Sequence, residues 1–212
     1  MHPNPAFRQT PAHRVLAFAA ARGFGTLIVN GPGGGTTGPL VAHVPFLIGA
    51  GGAMADLHLA RSNPIARSLA APLPALIAVT GPDGYISPDW YGMEGQVPTW
   101  NYVAAHLRGT LSLRPEAELL DHLDDLSARF ESQLLPKAPW LTGKLSADDL
   151  RRFLRMIVPC RLTIDDVQGT WKLGQNKPDH ARSAAASALD RSGIGQETTA
   201  LANLMRHAGD PE

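Results

Sequence analysis

The side chains best suited to chemistry lie in four short clusters that mix aromatic rings with amides and cations. The clusters span residues 58–64, 85–91, 97–102 and 171–177 and read HLARSNP, YISPDWY, VPTWNY and WKLGQNK. Aromatic faces supply contact area, and arginine and lysine supply charge. A helix start at Asn63–Pro64 offers backbone N–H groups to a phosphate. The combination favours a planar, polar, anionic ligand, although these loops could instead simply pack over one end of the fold.

Other catalytic patterns are weak. The glycine-rich run GPGGGTT at residues 31–37 lacks the GK[ST] ending of a phosphate loop and does not open a helix, so a plain turn between strands is expected. His43, His58 and His106 fall on expected strands without HxH or HExxH spacing, which favours ordinary hydrogen-bonded histidines over a metal site. No GxSxG elbow is present, and Cys160 is expected to be an inert buried thiol. Neither a metal nor a catalytic residue is assigned.

Composition narrows the class of protein. The 212 residues carry 19 Lys+Arg against 19 Asp+Glu, so the basic surplus typical of nucleic-acid binding is missing. A 44% hydrophobic share excludes a disordered chain, and 21 glycines with 18 prolines predict many short elements. One cysteine forms no internal disulfide. With no long apolar run and no apolar stretch near the N-terminus, we expect a soluble, cytoplasmic protein without a membrane span or signal peptide.

Hydrophobic periodicity predicts the elements that must position the clusters. Helices are expected at 11–22, 64–71, 115–130 and 146–157, and strands at 24–30, 40–48, 53–59, 75–80, 85–87, 100–113 and 160–164. Gly81–Gly84 is expected to be a turn between two of these strands, and Gly109 a bend in the longest one. Short connections make neighbouring strands antiparallel.

These elements predict one mainly β domain of the α+β class, in which six or so strands close into a small barrel with helices outside. The barrel domain is expected over residues 1–175. Residues 176–212, which are alanine-rich, are expected to form a helical tail packed on the same domain.

The strings HLARSNP, GPDGYISPDWY, VPTWNY and KLGQNK, in this order, resemble the PaiB-like family of FMN-binding negative transcriptional regulators. The resemblance runs from about residue 1 to about residue 180. It implies a split antiparallel β-barrel of the type found in pyridoxamine-phosphate oxidases and flavin reductases. It also implies a homodimer with FMN held between the subunits. Gly174 departs from the serine expected there, which removes one hydroxyl contact, and the insertion at 31–38 is expected to be a solvent loop.

The resemblance also assigns roles to individual residues. Arg61, with the backbone of Ser62 and Asn63, would hold the FMN phosphate, and Lys172 or Lys177 would add charge. The residues expected to flank the flavin ring or the subunit seam are Trp90, Trp100 and Tyr102. Those expected to bond the ring edge or the ribityl chain are Thr99, Asn101, Gln175 and Asn176. The cleft would be lined by His58 and His106. As alternatives, Trp100 and Tyr102 could serve dimer packing, and Gln175–Asn176 could cap the last helix.

Three functions follow from this assignment. The first is an FMN-binding protein, with flavin-dependent oxidoreductase activity on an unknown substrate and an indirect regulatory role. The second is a repressor that binds DNA directly, for which the basic segment Ser146–Ile157 is a thin basis, because a solvated helix face explains it better. The third is a barrel that binds haem or another planar ligand, with histidines as the axial ligands of a haem.

Overall fold

The computed structural model describes residues 1–31 and 38–208, so the expected glycine-rich turn and solvent loop at 31–38 lie almost wholly outside the described residues. The described helices are α1 Ala12–Arg22, α2 Pro64–Ser68, α3 Leu119–Glu131, α4 Ala147–Leu154, α5 Asp179–Ser192 and α6 Thr198–Arg206. The described strands are β1 Phe24–Asn30, β2 Pro39–Ile48, β3 Met54–Ala60, β4 Leu73–Ile86, β5 Thr99–Leu113, β6 Ile157–Lys172 and β7 Gly195–Gln196.

The strands follow the order β1-β2-β3-β6-β5-β4, and an additional pairing of β1 with β4 closes this order on itself. β1 pairs antiparallel with both β2 and β4, and β3 pairs antiparallel with β2 and β6. The short β7 adds to β4, where Asp83 pairs with Gln196 and Gly84 with Gly195. Six strands therefore form a closed antiparallel barrel, as the sequence predicted.

Two strand predictions were wrong. β4 runs unbroken from Leu73 to Ile86 through the segment expected to be a turn. Its glycine serves packing: a Cβ at Gly84 would lie 2.8 Å from Leu189 Cδ1 of α5. β6 spans 16 residues, Ile157–Lys172, where a short strand was expected, and it carries the chain directly into the fourth cluster.

The alternation of β5 explains why the side chain of Asn101, a candidate site residue, is buried. Val103, Ala105 and Leu107 are at most 2% exposed, and the alternation extends back to Asn101 at 1%. Successive strand residues point to opposite faces. Trp100 consequently lies on the other face, where it is 47% exposed.

Contacts divide the chain into two compact units. The first comprises Met1–Val15, Thr80–Ala105 and Gln168–Glu212, and the second comprises Leu16–Val79 and His106–Val167. Each has its own core: the first fully buries Ile86, Leu189, Leu201 and Met205, and the second fully buries Leu27, Leu57, Ile77, Leu107 and Leu162. The division expected at residue 175 stays a prediction.

Local signals explain two of the helix starts. The side chain of Asn63 accepts a hydrogen bond from Ile65 N at 2.9 Å and caps α2. Ser146 Oγ accepts from Asp149 N at 3.1 Å and caps α4. Both are N-cap residues with oxygen acceptors placed before the first helical turn.

Candidate functional site

The fourth cluster forms a tight turn where β6 ends. Gly174 has a φ of +79°, a left-handed conformation that glycine adopts without strain. Lys177 N donates to Gly174 O at 2.9 Å and closes the turn. The family resemblance led us to expect serine at position 174. The left-handed backbone conformation explains why glycine occurs there. The turn directs Lys172, Asn176 and Lys177 to one side.

A cavity of about 240 Å³ opens on that side, wholly within the first unit. It brings together five of the predicted site residues: Thr99, Asn101, Lys172, Asn176 and Lys177. Sequence reasoning missed its other principal walls, Asn4, Phe7, Tyr91 and Gln96. Asn4 and Phe7 lie in a segment with no periodicity or motif. Tyr91 lies within one of the four clusters and Gln96 directly precedes another, so their position in the sequence was a usable signal. We call this space the lysine cavity.

The lysine cavity is positively charged. Lys172 Nζ donates to Thr99 Oγ1, and Lys177 Nζ donates to Gln96 Oε1 and lies 5.4 Å from the centre of the Tyr91 ring. Within the described part of the chain, no carboxylate pairs with either ammonium group. Burial lowers the pKa of Lys172 from its ordinary value. A bound anion would offset that desolvation, so the cavity is suited to a phosphate or another multivalent anion.

Asn101 supplies a polar group to the buried wall of the same cavity. Its Nδ2 donates to Met205 Sδ at 3.5 Å, and a thioether is a weak acceptor. Because a buried amide gains most from a strong acceptor, a ligand oxygen beside Asn101 would satisfy this group better than the sulfur does.

Gln175 lies on the opposite side of the turn. Its Oε1 accepts from Leu173 N at 2.9 Å, and its Nε2 donates to Trp171 O at 2.6 Å and to Ala6 O at 3.2 Å. These bonds tie the turn to the N-terminal segment. The structure thus places Gln175 away from the lysine cavity.

The aromatic candidates form a separate group in the first unit. The Tyr85 ring meets Trp90 and Trp100 edge-on, with centroids 6.5 and 6.3 Å apart. Trp100 and Tyr102 line a shallow depression of about 270 Å³ that also contains Asp83. This depression lies on the face of β5 opposite to Asn101, so β5 separates these rings from the lysine cavity.

The predicted phosphate group Arg61, Ser62 and Asn63 belongs to the second unit, as does His58, which was expected to line the cleft. Arg61 Nη2 contacts Glu116 Oε1 at 2.8 Å and Ile157 O at 3.2 Å, and its Nε donates to Arg155 O at 3.1 Å. Asn63 uses its side chain as a helix cap, and its backbone N–H donates to Ala60 O. The side chain of Arg61 remains 49% exposed, and its role toward a phosphate stays a prediction.

His58 takes part in a histidine pair of the second unit. His58 Nδ1 and His122 Nε2 lie 3.2 Å apart, and His122 Nδ1 is buried without a partner among the described residues. Burial, followed by the positive charge of a protonated His58, lowers the pKa of His122 from 6.5 to about 4, against opposing contributions from Asp56 and Asp125. Burial also lowers the pKa of His58. The pair is therefore neutral at pH 7.

This pair predicts a loss of stability in acid. Because the folded pKa of His122 lies below the unfolded value, the unfolded chain binds more protons between pH 6.5 and about 4. Unfolding free energy should fall as the pH drops through that window, by about 3 kcal/mol from His122. In urea titrations at pH 7 and pH 4.5, His122→Gln should lose less stability on acidification than the wild type. The exposed His13→Gln variant should follow the wild type, and a pH dependence unchanged in His122→Gln would contradict the assignment.

Within the basic segment considered for DNA binding, the two arginines of α4 pair with carboxylates of the same helix. Arg151 pairs with Asp148, and Arg152 Nη2 pairs with Asp149 at 2.8 Å. Both pairs join residues three apart on α4. A helix whose arginines already contact carboxylates presents little net charge to a phosphate backbone.

Comparison with known proteins identifies the fold as a split β-barrel with peripheral helices. The family model described as "Putative FMN-binding domain" matches residues 1–166, and the chain belongs to that family. The protease synthase and sporulation protein PAI 2 of Bacillus subtilis is 32% identical over 181 residues, which cover 81% of this chain and 80% of that protein. The predicted PaiB-like resemblance is confirmed.

Two solved structures share the fold. The FAD- and haem-binding protein of Mycobacterium smegmatis has a TM-score of 0.59 at 23% identity, covering 89% of this chain and 82% of that one. The flavocytochrome Anf3 of Azotobacter vinelandii has a TM-score of 0.58 at 12% identity, covering 82% and 73%. Over residues 1–31 and 38–208, no helix has the length and apolar character needed to span a bilayer.

Proposed function

We propose that the flavin is FMN and that Lys172 and Lys177 hold its phosphate in the lysine cavity. The observation that carries the proposal is the pair of ammonium groups, free of carboxylate partners among the described residues, beside one cavity. Thr99, Asn101 and Asn176 add hydrogen-bonding groups to the same walls. Riboflavin lacks the phosphate, so these lysines would distinguish the two flavins.

We further propose that a second copy of the chain completes the site. A cavity of about 240 Å³ is small beside the ~300–1,000 Å³ of typical cofactor sites. It suits a phosphate with part of its sugar chain better than a whole flavin. The exposed ring of Trp100, beside Tyr102, is the matching surface for a subunit seam, and Trp90 supports it through Tyr85. A monomeric state at micromolar concentration in sedimentation velocity would contradict this part of the proposal.

Bound FMN supplies hydride and single-electron transfer, and the protein orients it and tunes its surroundings. The proposed activity is therefore that of a cytoplasmic flavin-dependent oxidoreductase, whose regulatory effect is exercised through redox chemistry. None of the described side chains is assigned a catalytic role. Asn101 and Lys172 would set the polarity around whichever part of FMN the cavity receives.

The absorption spectrum of the purified protein tests the cofactor. Bands near about 450 nm indicate oxidised flavin, and a strong band near about 410 nm indicates haem. Haem is the second candidate because two proteins of this fold are described as an FAD- and haem-binding protein and a flavocytochrome. Chromatography of the released pigment then separates FMN from FAD. Recovery of haem or FAD alone would overturn the FMN proposal.

Arg61→Ala tests the alternative predicted from the sequence, in which Arg61 also holds the phosphate. If Arg61 contacts the phosphate, Arg61→Ala should weaken FMN by about 10–100-fold, the value of one charge-assisted hydrogen bond, and leave riboflavin affinity unchanged. The loss of its exposed contact with Glu116 should cost at most about 1 kcal/mol of stability. Flavin fluorescence titrations and urea unfolding measure these quantities. Equal losses for both flavins would mean that Arg61 serves only to hold Glu116, Arg155 and Ile157 together.

Direct DNA recognition is expected to be absent. The paired arginines of α4 leave little charge for phosphate contacts, and specific or non-specific binding strengthens as salt falls. Electrophoretic mobility of a fragment carrying the protein's own promoter should therefore stay unchanged even at about 20 mM salt, where non-specific contacts are strongest. A retarded band whose intensity declines steeply with added salt would establish the repressor alternative.

A further inference from the structure

The shallow depression on β4 and β5 carries a charge opposite in sign to that of the lysine cavity. Its volume is about 270 Å³, and its walls include Thr80, Asp83, Trp100 and Tyr102, all of the first unit. Asp83 is the one charged side chain among the described residues that line it. We call this space the aromatic depression. An anion would be repelled by the carboxylate, whereas a cation would be attracted by the carboxylate and by the rings.

The Trp100 ring is held by a neighbouring ring and yet remains open to solvent. Tyr85 meets it at an interplanar angle of 73°, and Tyr85 contacts Trp90 in the same edge-on manner. Trp100 is nevertheless 47% exposed, so part of the indole surface is available for contact. Val103, which is 2% exposed, lies beneath as an apolar part of the lining. The depression therefore offers a positioned aromatic wall rather than a mobile side chain.

Asp83 provides a carboxylate oxygen for a ligand. Its Oδ1 accepts a hydrogen bond from Gln196 N at 3.0 Å, at the position where β7 pairs with β4, and this bond orients the carboxylate. Among the residues that the structure describes, no lysine or arginine pairs with Asp83, and its Oδ2 has no hydrogen-bond donor. A cationic ligand would therefore gain an ion pair without breaking one within the protein.

Two aromatic rings and one carboxylate specify a class of ligand. The face of an aromatic ring attracts a cation through the ring quadrupole, and tryptophan does so most strongly. A compact ammonium group is strongly hydrated, so entering a shallow site costs it more than it costs a weakly hydrated cation. We propose that the aromatic depression binds a small organic cation that carries a quaternary or methylated ammonium group. Cation binding here does not depend on the proposed FMN site, which lies on the other face of β5.

Titration with choline and with 3,3-dimethylbutan-1-ol, its uncharged carbon analogue of the same shape, tests the site. The indole N–H resonance of Trp100 in heteronuclear NMR spectra reports binding, and its loss in Trp100→Phe assigns it. Choline should shift this resonance to saturation and bind about 3–30-fold more tightly than the alcohol, because the rings and the carboxylate both act on its charge. Equal affinity for the two compounds, or no shift of the Trp100 resonance by choline, would overturn the proposal.

Asp83→Asn separates the effect of the carboxylate from that of the rings. Asparagine keeps an oxygen that can accept from Gln196 N but carries no charge. Choline affinity should therefore fall by about two- to fivefold, while the affinity for the alcohol stays unchanged. Asp89→Asn removes an exposed carboxylate outside the depression and should leave choline affinity at the wild-type value. An unchanged choline affinity in Asp83→Asn, or an equal loss in both variants, would overturn the assignment.

Sedimentation velocity on the same samples separates this site from the proposed subunit seam, which uses the same two rings. Asp83, Trp100 and Tyr102 belong to one chain, so the cation site does not require a second copy. A monomer that prefers choline supports the cation site and contradicts the seam. A dimer that shows no preference for choline supports the seam and overturns the cation site.

Discussion

Replacing Lys172 and Lys177 together with glutamine should weaken FMN binding by about 10²–10⁴-fold. Each charge-assisted hydrogen bond to phosphate contributes about 1.5–3 kcal/mol, and the variant removes both cations while keeping polar side chains of similar length. Riboflavin, which carries no phosphate, should lose less than about threefold, since only indirect effects through the wall remain. Quenching of flavin fluorescence by the apoprotein measures both affinities.

The design includes an internal control for general charge. Lys144→Gln removes an exposed lysine of the second unit. It lies far along the sequence from every residue that lines the lysine cavity, so the affinities for FMN and riboflavin should both stay unchanged. The single variants Lys172→Gln and Lys177→Gln should each account for part of the loss. If the double variant lost FMN and riboflavin equally, the lysines would support the cavity wall without contacting phosphate.

Gly109→Ala should produce the largest loss of stability. A Cβ at Gly109 would lie 1.8 Å from the carbonyl oxygen and 2.8 Å from the carbonyl carbon of Thr163. The obstacle is backbone, so β5 and β6 must separate to accommodate it. We expect a loss of about 3 kcal/mol or more, which for a chain of this length lowers Tm by about 10 °C. Differential scanning calorimetry checks the value.

Gly143→Ala is the matched control. A Cβ at Gly143 would meet nothing within 4 Å, and the new methyl group restricts the unfolded chain. Its Tm should stay unchanged or rise slightly. If Gly109→Ala were as stable as Gly143→Ala, the close approach of β5 to β6 at this point would be wrong.

The strand pattern was predictable because half-buried strands alternate apolar and polar residues. β1, β2, β3 and β5 follow that alternation closely, and their predicted ends lie within one or two residues of the observed ones. The full length of β4 was not predicted, because Gly81–Gly84 has the composition of a turn. Gly84 instead leaves room for Leu189 and Leu201, a tertiary contact that local sequence does not encode.

The candidate site was predictable where chemistry is concentrated in short strings. VPTWNY supplied Thr99 and Asn101, and KLGQNK supplied both lysines and Asn176. The orientation of Gln175 follows from its bonds to Leu173, Trp171 and Ala6, which residue type does not reveal. Asn4 and Phe7 were missed because the N-terminal segment has no periodicity. Only the folded chain places it against the turn of the first unit.

Titration of the wild-type apoprotein tests recognition of the flavin phosphate most directly. FMN and riboflavin should be titrated separately into the protein while their fluorescence is followed. We expect saturable quenching by FMN at one equivalent per chain, with riboflavin at least about 100-fold weaker, as loss of charge-assisted phosphate contacts implies. Equal affinity for the two flavins, or no saturable quenching by FMN, would contradict the account.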